Sequence, residues 1–307
     1  MEMQRLLKAT VQFNASDLHV QVGSPPTVRV DGTMVAINAP PVTPEQVREL
    51  VAQVADEGQR RRVESECSCD FSFFMPEVAR FRINVFHEQG NLCIAARTIP
   101  LRIKSFTELG LPAVLQEIAE EQRGLVLMTG TTGSGKSTTL AAMIDHLNRT
   151  QRLRIVTVED PIEFVHASQK SLVAQCEIGR YTPSFAESLR RALRQDPDVI
   201  LVGELRDAET MRIALQAADT GHLVFSTIHT TNCSFTMQRI VAMFPADERE
   251  LLHTQMAMNL SAVISQRLAV AKQKEKGRVA IAQLPQAIRP SRIAFRTTAV
   301  LRITSST

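Results

Sequence analysis

The sequence predicts an α/β protein with a doubly wound parallel sheet, preceded by a smaller α+β unit. Three observations support this prediction. After residue 112, short and continuous apolar runs alternate with helical segments, as in strands buried on both faces. One of these runs leads directly into a glycine-rich stretch that opens a helix. In residues 1–99, by contrast, apolar and polar residues alternate within short segments that are joined by turn residues.

The composition is that of an ordinary globular protein. The chain has 307 residues, of which 44% are apolar and 22% charged, which excludes disordered and collagen-like classes. Its apolar runs are shorter than the roughly 18 residues of a membrane helix, and its first residues have no secretory signal pattern. We therefore expect a cytoplasmic protein. The net charge of +3 is too small to argue for nucleic-acid binding.

The five cysteines indicate reduced thiols. Their number is odd, and they are scattered along the chain. Cys67 and Cys69 stand too close together for the two-residue gap of a zinc knuckle, and the sequence has no second pair to complete one. We expect neither a zinc site nor a disulfide framework.

The smaller unit begins with a predicted hairpin and a helix. Residues 17–22 and 27–30 alternate as strands do, and Asp31-Gly32 is a typical hairpin turn. Thr43 followed by Pro44 is a helix start, because Thr caps and Pro suits the first turn. We expect this helix to run to about Asp56, before Gly58.

A second hairpin is predicted from residues 79–87 and 92–98, with residues 88–91 as its loop. With that loop, two residues face each other across the hairpin when their residue numbers add up to 179. The apolar residues Phe81, Ile83 and Val85 then line the core face. On the other face Arg82 lies opposite Arg97, and facing like charges repel unless an anion or an acid joins them. The alternative is that both are solvated surface arginines.

Residues 100–112 look like a linker, and the larger domain follows. Its predicted buried strands are Leu125–Met128, Leu153–Val158, Val199–Val202 and Leu223–Ile228. Helices are predicted to start near Ser137, Ser184 and Asp207. Strands and helices that alternate in this way form a sheet with helices on both faces.

The stretch Gly130 to Ser137 fits the spacing of a P-loop, and it lies between a predicted strand and a helix as a P-loop must. Its glycines let backbone N–H groups converge on phosphate oxygens at a helix N-terminus. The predicted ATP-binding residues are Thr131, Thr132, Gly133, Ser134, Gly135, Lys136, Ser137 and Thr138. We expect Lys136 to reach the β and γ phosphates and the Ser137 hydroxyl to bind Mg²⁺.

Acidic residues follow two of the predicted strands. Glu204 ends the run from Val199, where a carboxylate beside magnesium could polarise the attacking water; a helix cap or a salt-bridge partner is the alternative. Glu159, Asp160 and Glu163 follow another strand, so they are expected at the edge of the sheet where ligands bind. For these three, the alternative is a solvated acidic turn.

Two histidines and three arginines lie near these segments. His222 precedes the strand 223–228 and His229 follows it, so the two should contact different groups. Periodicity does not separate a sensor role from a packing role for either of them. Arg190, Arg191 and Arg194 lie on one predicted helix, whose arginine face is commonly solvated.

Four segments in order resemble the signatures of the secretion ATPase superfamily of type II secretion and type IV pili. They are Gly130–Thr138 (Walker A), Val158–Glu163 (aspartate box), Ile200–Asp207 (Walker B) and Thr220–His229 (histidine box). Shorter matches include Arg80-Phe81-Arg82 and Arg97-Thr98-Ile99-Pro100. The resemblance covers residues 1–280 and is greatest to the members that retract pili.

This resemblance implies a PAS-like domain over residues 1–99, the linker at 100–112, a RecA-like ATPase domain over 113–280, and a hexameric ring. In the family, nucleotide lies between the two domains and arginines of the first domain reach it; the matching positions are Arg82 and Arg97. The resemblance also makes Glu204 the hydrolytic carboxylate, with Glu163 nearby, and His222 a residue that responds to nucleotide. From its place beside the P-loop, Glu204 is also expected to bind Mg²⁺ together with Ser137.

Partners and function follow from the same resemblance. It implies a motor ATPase that powers type IV pilus retraction, held peripherally at the inner membrane by a pilus platform protein, with a second related ATPase as a further partner. An accessory ring subunit that depends on an active partner is the alternative, and a nucleic-acid motor is disfavoured because the chain has one Tyr and no Trp.

Two segments depart from the family pattern. Gly179-Arg180-Tyr181 keeps only the arginine of the family's His-Arg-Asp. In the tail, Ala287-Ile288-Arg289 is followed by Pro290 rather than by the family's helical motif, and residues 276–307 contain no acid. We interpret residues 281–307 as a divergent, poorly ordered basic tail. The missing motif is associated with retraction in the family, so retraction is less firmly implied than ATP hydrolysis.

Overall fold

A computed structural model describes residues 2–99, 102–179, 182–270 and 278–283 of the chain. The chain forms two compact units, Met1–Arg102 and Ile103–Thr307, and each is described by itself. Most of the predicted basic tail, residues 284–307, lies outside the described residues, and so do Arg180 and Tyr181.

The first unit is a six-stranded antiparallel sheet with three helices. Its elements are α1 (Met3–Gln12), β1 (Asp17–Val20), β2 (Thr27–Val30), β3 (Thr33–Ala36), α2 (Pro44–Ala52), α3 (Glu57–Glu66), β4 (Ser68–Met75), β5 (Ala79–Glu88) and β6 (Asn91–Ile99). The strands lie in the order β3-β2-β1-β6-β5-β4. Apolar side chains of the helices and of one sheet face form a single core. The predicted α+β class of this unit is confirmed.

Both predicted hairpins are present. Val30 pairs with Thr33, and the turn residues Asp31 and Gly32 have φ of 48° and 86°, as a tight hairpin turn requires. In the second hairpin Arg82 pairs with Arg97, which confirms the predicted register. The predicted four-residue loop is wrong, because the strands continue pairing until only Gln89-Gly90 remains as the turn.

The predicted long helix from Pro44 to about Asp56 is wrong. Helix α2 ends at Ala52, and a second helix begins at Glu57 with Gly58 inside its first turn. The cause is a second capping box: the Gln59 N–H donates to Asp56 at 2.8 Å, and the Gln59 amide oxygen accepts from the Asp56 N–H at 2.9 Å. Asp56 therefore starts a helix rather than ending one.

The second unit is built on a seven-stranded sheet. Its elements are α4 (Val114–Ala119), β7 (Gly124–Thr129), α5 (Lys136–Thr150), β8 (Arg154–Glu159), β9 (Leu172–Glu177), α6 (Phe185–Ala192), β10 (Val199–Val202), α7 (Ala208–Asp219), β11 (Leu223–Ile228), α8 (Cys233–Met243), a single 3₁₀ turn (Ala246–Glu248), α9 (Arg249–Asn259), β12 (Leu260–Val270) and β13 (Arg278–Gln283). The order is β13-β12-β7-β11-β10-β8-β9, and among the described strands only the β12–β13 pairing is antiparallel.

Helices cover both faces of this sheet. Leu125 and Leu127 of β7 pack in one core with α6, α7 and α9, while Val126 and Met128 pack in another with α4 and α5. This alternation explains why β7 reads as a continuous apolar run. The predicted α/β class is confirmed, and such a sheet is typical of the RecA-like fold that the resemblance implies.

The parallel pairing sets the position of the candidate site. Thr129 at the end of β7 is level with Ile228 of β11, and Val202 of β10 is level with Val158 of β8. The segments that follow these four strands therefore meet at one edge of the sheet, the edge where ligands bind in such folds.

Among the described residues, no helix has the length and apolar character that crossing a bilayer requires.

Candidate functional site

The P-loop follows β7 and leads into α5. Gly130, Gly133 and Gly135 have φ of 148°, 77° and 88°, which L-residues with a side chain adopt only with strain. Gly135 is the N-cap of α5, so the backbone N–H groups of the helix start open into the loop. Thr131, Thr132 and Gly133 are exposed, Gly135, Ser137 and Thr138 are partly buried, and Ser134 is buried.

Lys136 is held by the loop itself. Its Nζ donates to the carbonyl oxygens of Gly130 at 2.9 Å and Thr131 at 3.1 Å, and the residue is 7% exposed. Burial lowers the pKa of the amine, and the charges of Glu204 and Glu163 act in the opposite direction. The predicted phosphate-binding lysine is therefore at the loop, with two carboxylates close enough to influence it.

Glu204 follows β10, as predicted, and its side chain is 14% exposed. One carboxylate oxygen accepts a hydrogen bond from Nε of Arg206 at 2.7 Å. The other lies 3.6 Å from Nε2 of His229. The salt bridge that the sequence offered as an alternative role is thus present, and it fixes one carboxylate oxygen while the other faces His229.

His229 joins the two sides of the site. Its Nδ1 lies 3.4 Å from Nζ of Lys136, while its Nε2 faces Glu204. Burial lowers the pKa of the imidazole and the Lys136 charge adds to this, whereas Glu204 raises it. Sequence reasoning placed His229 at the end of β11 but gave it no role, because its neighbours depend on how β7, β10 and β11 pair.

His222 lies at the other end of β11. Its Nδ1 contacts the carbonyl oxygen of Ala217 at 2.9 Å, and its own carbonyl accepts from the N–H of Gly124 at the start of β7. The six residues of β11 separate the two histidines, which amounts to about 20 Å. Within this unit, the structure does not bring His222 to the P-loop or to Glu204.

The acidic residues after β8 have different surroundings. Burial raises the pKa of Glu159 to about 7, although hydrogen bonds from Thr157, Gln175 and the Glu163 backbone work against the rise. Thr157 donates to its carboxylate at 2.6 Å and Gln175 at 3.2 Å. Asp160 is exposed, whereas Glu163 is partly buried and its charge acts on Lys136. Of the three, Glu163 is the one whose charge acts on the P-loop lysine.

In the first unit, Arg82 and Arg97 each have a carboxylate partner. Nε of Arg82 donates to Asp70 at 2.9 Å, and Nε of Arg97 donates to Asp17 at 3.0 Å. Burial raises the pKa of Asp17, but the hydrogen bonds and charge of its neighbours, Arg97 among them, leave it lowered. An acid beside each arginine therefore offsets the predicted repulsion. Their side chains are 38% and 66% exposed.

The three arginines near α6 belong to the solvated surface. Arg190 pairs with Glu209, and Nε of Arg191 donates to Glu187 at 3.0 Å. Arg194 lies beyond the end of the helix at Ala192. The interpretation of this helix face as solvated agrees with the exposure of Arg190 and Arg191.

Two features concern what the site could hold. A cleft of about 520 Å³, within the range of small-molecule pockets, lies beside the P-loop between residues 131–134 and the segment Arg267-Leu268. No group of three or more His, Cys, Asp or Glu side chains among the described residues is arranged to hold a metal ion. The Ser137 hydroxyl and the Glu204 carboxylate are hard oxygen donors of the kind that Mg²⁺ prefers.

Comparisons with known proteins agree on one relationship. The family model "Type II/IV secretion system protein" matches residues 2–298. Over 280 residues, 91% of this chain and 81% of the relative, the chain is 49% identical to the type IV pilus retraction ATPase PilT of Pseudomonas aeruginosa.

Solved structures give the same result. The pilus retraction motor PilT with bound ADP aligns with a TM-score of 0.87 at 44% identity, covering 92% of this chain and 82% of that one. The ATPase DotB of Legionella pneumophila aligns with a TM-score of 0.81 at 34% identity, covering 92% and 79%.

Proposed function

The chain belongs to the type II/IV secretion system protein family, and we propose that it is a motor ATPase that hydrolyses ATP to power retraction of a type IV pilus. The observation that carries the proposal is the placement of Lys136 and Glu204 on either side of His229, at the edge of the sheet where the P-loop opens. The 49% identity to a pilus retraction ATPase supports the choice of pilus retraction.

Nucleotide binding falls to the P-loop. The backbone N–H groups at the start of α5 are unpaired donors within the helix and attract the phosphates. Lys136 leaves the carbonyls of Gly130 and Thr131 for the β and γ phosphates, which are stronger acceptors because they are charged. Residues Thr131, Thr132, Gly133, Ser134, Gly135, Ser137 and Thr138 complete this phosphate site.

Hydrolysis falls to Glu204. Its carboxylate orients a water molecule and takes the proton as the water oxygen attacks the γ phosphorus and ADP leaves. Arg206 holds one carboxylate oxygen, so the other is fixed in direction. Glu163 is the nearby second acid of the site.

Mg²⁺ fits this site through Ser137 and Glu204. Mg²⁺ is usually bound by one or two protein oxygens together with phosphates and water, which matches the hard oxygen donors present here. When bound, the ion neutralises charge on the phosphate oxygens. The protein's own part is to offer the Ser137 hydroxyl and the Glu204 carboxylate.

Three further residues act in turnover under this proposal. Arg82 and Arg97 stabilise the charge of the transferred phosphoryl group, and their exposure leaves them able to exchange Asp70 and Asp17 for nucleotide. His222 responds to nucleotide as the family resemblance implies. Because His222 lies at the end of β11 far from the P-loop, it does not respond by contacting the P-loop of its own unit.

We also propose the surroundings in which the motor works. The chain assembles as a homo-hexamer in the cytoplasm and is held peripherally at the inner membrane by a pilus platform protein. A second related ATPase is a further candidate partner. No direct nucleic-acid partner is proposed.

The test is phosphate release by the purified chain with Mg²⁺ and ATP. The chain alone should release phosphate, and Glu204→Gln should bind ATP normally while losing at least about 99% of turnover. Undiminished release by Glu204→Gln would overturn the catalytic assignment. If the chain releases phosphate only when mixed with a full-length relative, it is an accessory subunit instead.

A further inference from the structure

Gln266 of β12 contacts the P-loop through its side chain. This strand pairs with β7, and the Gln266 residue is only 1% exposed. Its Nε2 donates to the carbonyl oxygen of Ser134 at 2.9 Å, and its Oε1 accepts from the Thr139 hydroxyl at 2.8 Å. One buried amide thus ties the middle of the P-loop to the first turns of α5.

The first of these bonds sets the direction of a phosphate-facing donor. The Ser134 carbonyl and the Gly135 N–H belong to the same trans peptide group, so they point in opposite directions. Because Gln266 holds the carbonyl, the Gly135 N–H points away from β12 and into the loop. The Thr139 hydroxyl fixes which end of the Gln266 amide meets Ser134.

The packing around Gln266 is tight at both ends of the loop. A Cβ added to Gly130 would lie 2.4 Å from the backbone carbonyl oxygen of Gln266. A Cβ added to Gly135 would lie 2.8 Å from the side-chain Nε2 of Gln266. Both distances are shorter than real Cβ contacts. The contact at Gly130 is with the backbone of β12 and would be made with any residue at position 266, whereas the contact at Gly135 is with the side chain of Gln266 itself. Gln266 therefore limits the loop sterically as well as through hydrogen bonds.

The neighbours of Gln266 hold the other side of the site. Ser265 donates to the carbonyl oxygen of Thr231 at 3.4 Å, and Arg267 donates to the same oxygen at 3.2 Å. Successive residues of a strand point to opposite faces of the sheet. Gln266 therefore contacts the P-loop, while Ser265 and Arg267 contact the loop after β11. That second loop carries His229.

We propose that Gln266 is a positioning residue that aims the Gly135 N–H at the phosphates of the bound nucleotide. The proposal rests on the proposed function. Gln266 does not touch the phosphates itself; it acts through the Ser134–Gly135 peptide. Because this N–H contacts ground-state and transition-state phosphates alike, losing its direction should weaken binding more than it slows chemistry.

The test compares Gln266→Met with the wild type. Methionine has a similar shape but cannot hydrogen-bond strongly, so the Ser134 carbonyl is released. We expect the KM for ATP to rise about tenfold and the affinity for ADP with Mg²⁺ to fall by a similar factor, while kcat changes less than about threefold.

Ser171→Ala is the matched control. Ser171 is 1% exposed, donates to the Gln151 carbonyl at 2.8 Å and accepts from the Leu153 N–H at 3.1 Å, so this variant also loses the hydrogen bonds of a buried side chain. These bonds lie before the amino end of β8, away from the P-loop. A purely structural loss should lower the melting temperature of both variants, but the KM should rise only in Gln266→Met.

The outcomes separate this inference from the proposed function. An unchanged KM and ADP affinity in a folded Gln266→Met would overturn the role of Gln266 and leave the ATPase proposal intact. A wild-type chain with no affinity for ADP and Mg²⁺ would overturn both. If Gln266→Met does not fold, the test uses Thr139→Val, which removes the hydroxyl that orients the Gln266 amide. This variant should raise the KM for ATP about threefold, and an unchanged KM would overturn the inference.

Discussion

Glu159 ends a buried strand and Glu204 follows one, but the two carboxylates have different hydrogen-bond partners. Glu204 has an arginine on one oxygen, whereas Glu159 is held by the neutral groups of Thr157 and Gln175. Burial without a cation raises the pKa of Glu159 to about 7. Sequence spacing predicted both carboxylates but not their environments. Arg206 and Thr157 are each two residues from the acid that they contact. The burial of Glu159 and its hydrogen bond from Gln175 of β9 depend instead on how the strands pack.

The raised pKa of Glu159 makes stability depend on pH. The folded state binds this proton more tightly than the unfolded state, so the stabilisation is present below about pH 4.5 and is lost as the pH rises through 7. Between pH 5.5 and 8 the free energy of unfolding of the wild type should fall by about 2 kcal/mol relative to Glu159→Gln. Chemical denaturation of both proteins at the two pH values checks this, and parallel pH profiles would contradict it.

The helix start at Thr43 is a local feature that the sequence identified correctly. Its side chain accepts from the Gln46 N–H at 3.3 Å, and the Thr43 N–H donates to the Gln46 amide oxygen at 2.9 Å. Thr43→Ala should lower the free energy of unfolding of the first unit by about 1 kcal/mol. Denaturation followed by helix signal measures it, with the exposed Glu49→Ala on the same helix as a control. An equal effect of both substitutions would contradict the cap's contribution.

The P-loop was predictable as an element, but its support was not. Its glycine spacing is local, whereas Gln266 lies 132 residues after Ser134 and meets it only because β12 pairs with β7. The β12 segment also carries Ser265-Gln266-Arg267, and these polar residues interrupt the apolar run that identifies buried strands. Strand pairing, rather than composition, places such residues.

Two glycines of the loop should differ in their tolerance of alanine. Gly133 has φ of 77° and open space around its added Cβ, so Gly133→Ala should cost only the strain of about 1–2 kcal/mol. Gly130→Ala adds a contact with a backbone oxygen at 2.4 Å and should cost about 3 kcal/mol or more. Denaturation of the second unit without nucleotide compares them, and equal losses would contradict the packing described for Gly130.

At the scale of the whole molecule, two units with separate cores supply different parts of the proposed reaction. The alternation of apolar runs predicted the two architectures from physical principles. The hexamer, the pilus and the roles of Arg82 and Arg97 came from family resemblance, because no periodicity or spacing identifies a partner. The boundaries of the predicted domains stay predictions.

Arg97 tests the part that the first unit plays. The Arg97 side chain is 66% exposed but that of its partner Asp17 is only 14% exposed, so Arg97→Ala should lower stability by about 1 kcal/mol. ATP turnover should nevertheless fall at least about a hundredfold, as expected for an arginine that stabilises a phosphoryl group. Arg29→Ala is the control, because Arg29 lies opposite Asp17 in the backbone register of β1 and β2 and has no proposed role in turnover. Wild-type turnover in Arg97→Ala would contradict this role.

Everything proposed for this chain depends on nucleotide phosphates binding at the P-loop. The most direct measurement is calorimetric titration of the purified chain with ATP and Mg²⁺, repeated with Lys136→Ala. The wild type should bind, and Lys136→Ala should bind at least about a hundredfold more weakly, because it loses a buried cation that faces the phosphates. A folded wild-type chain without affinity, or equal affinity in both proteins, would contradict the account.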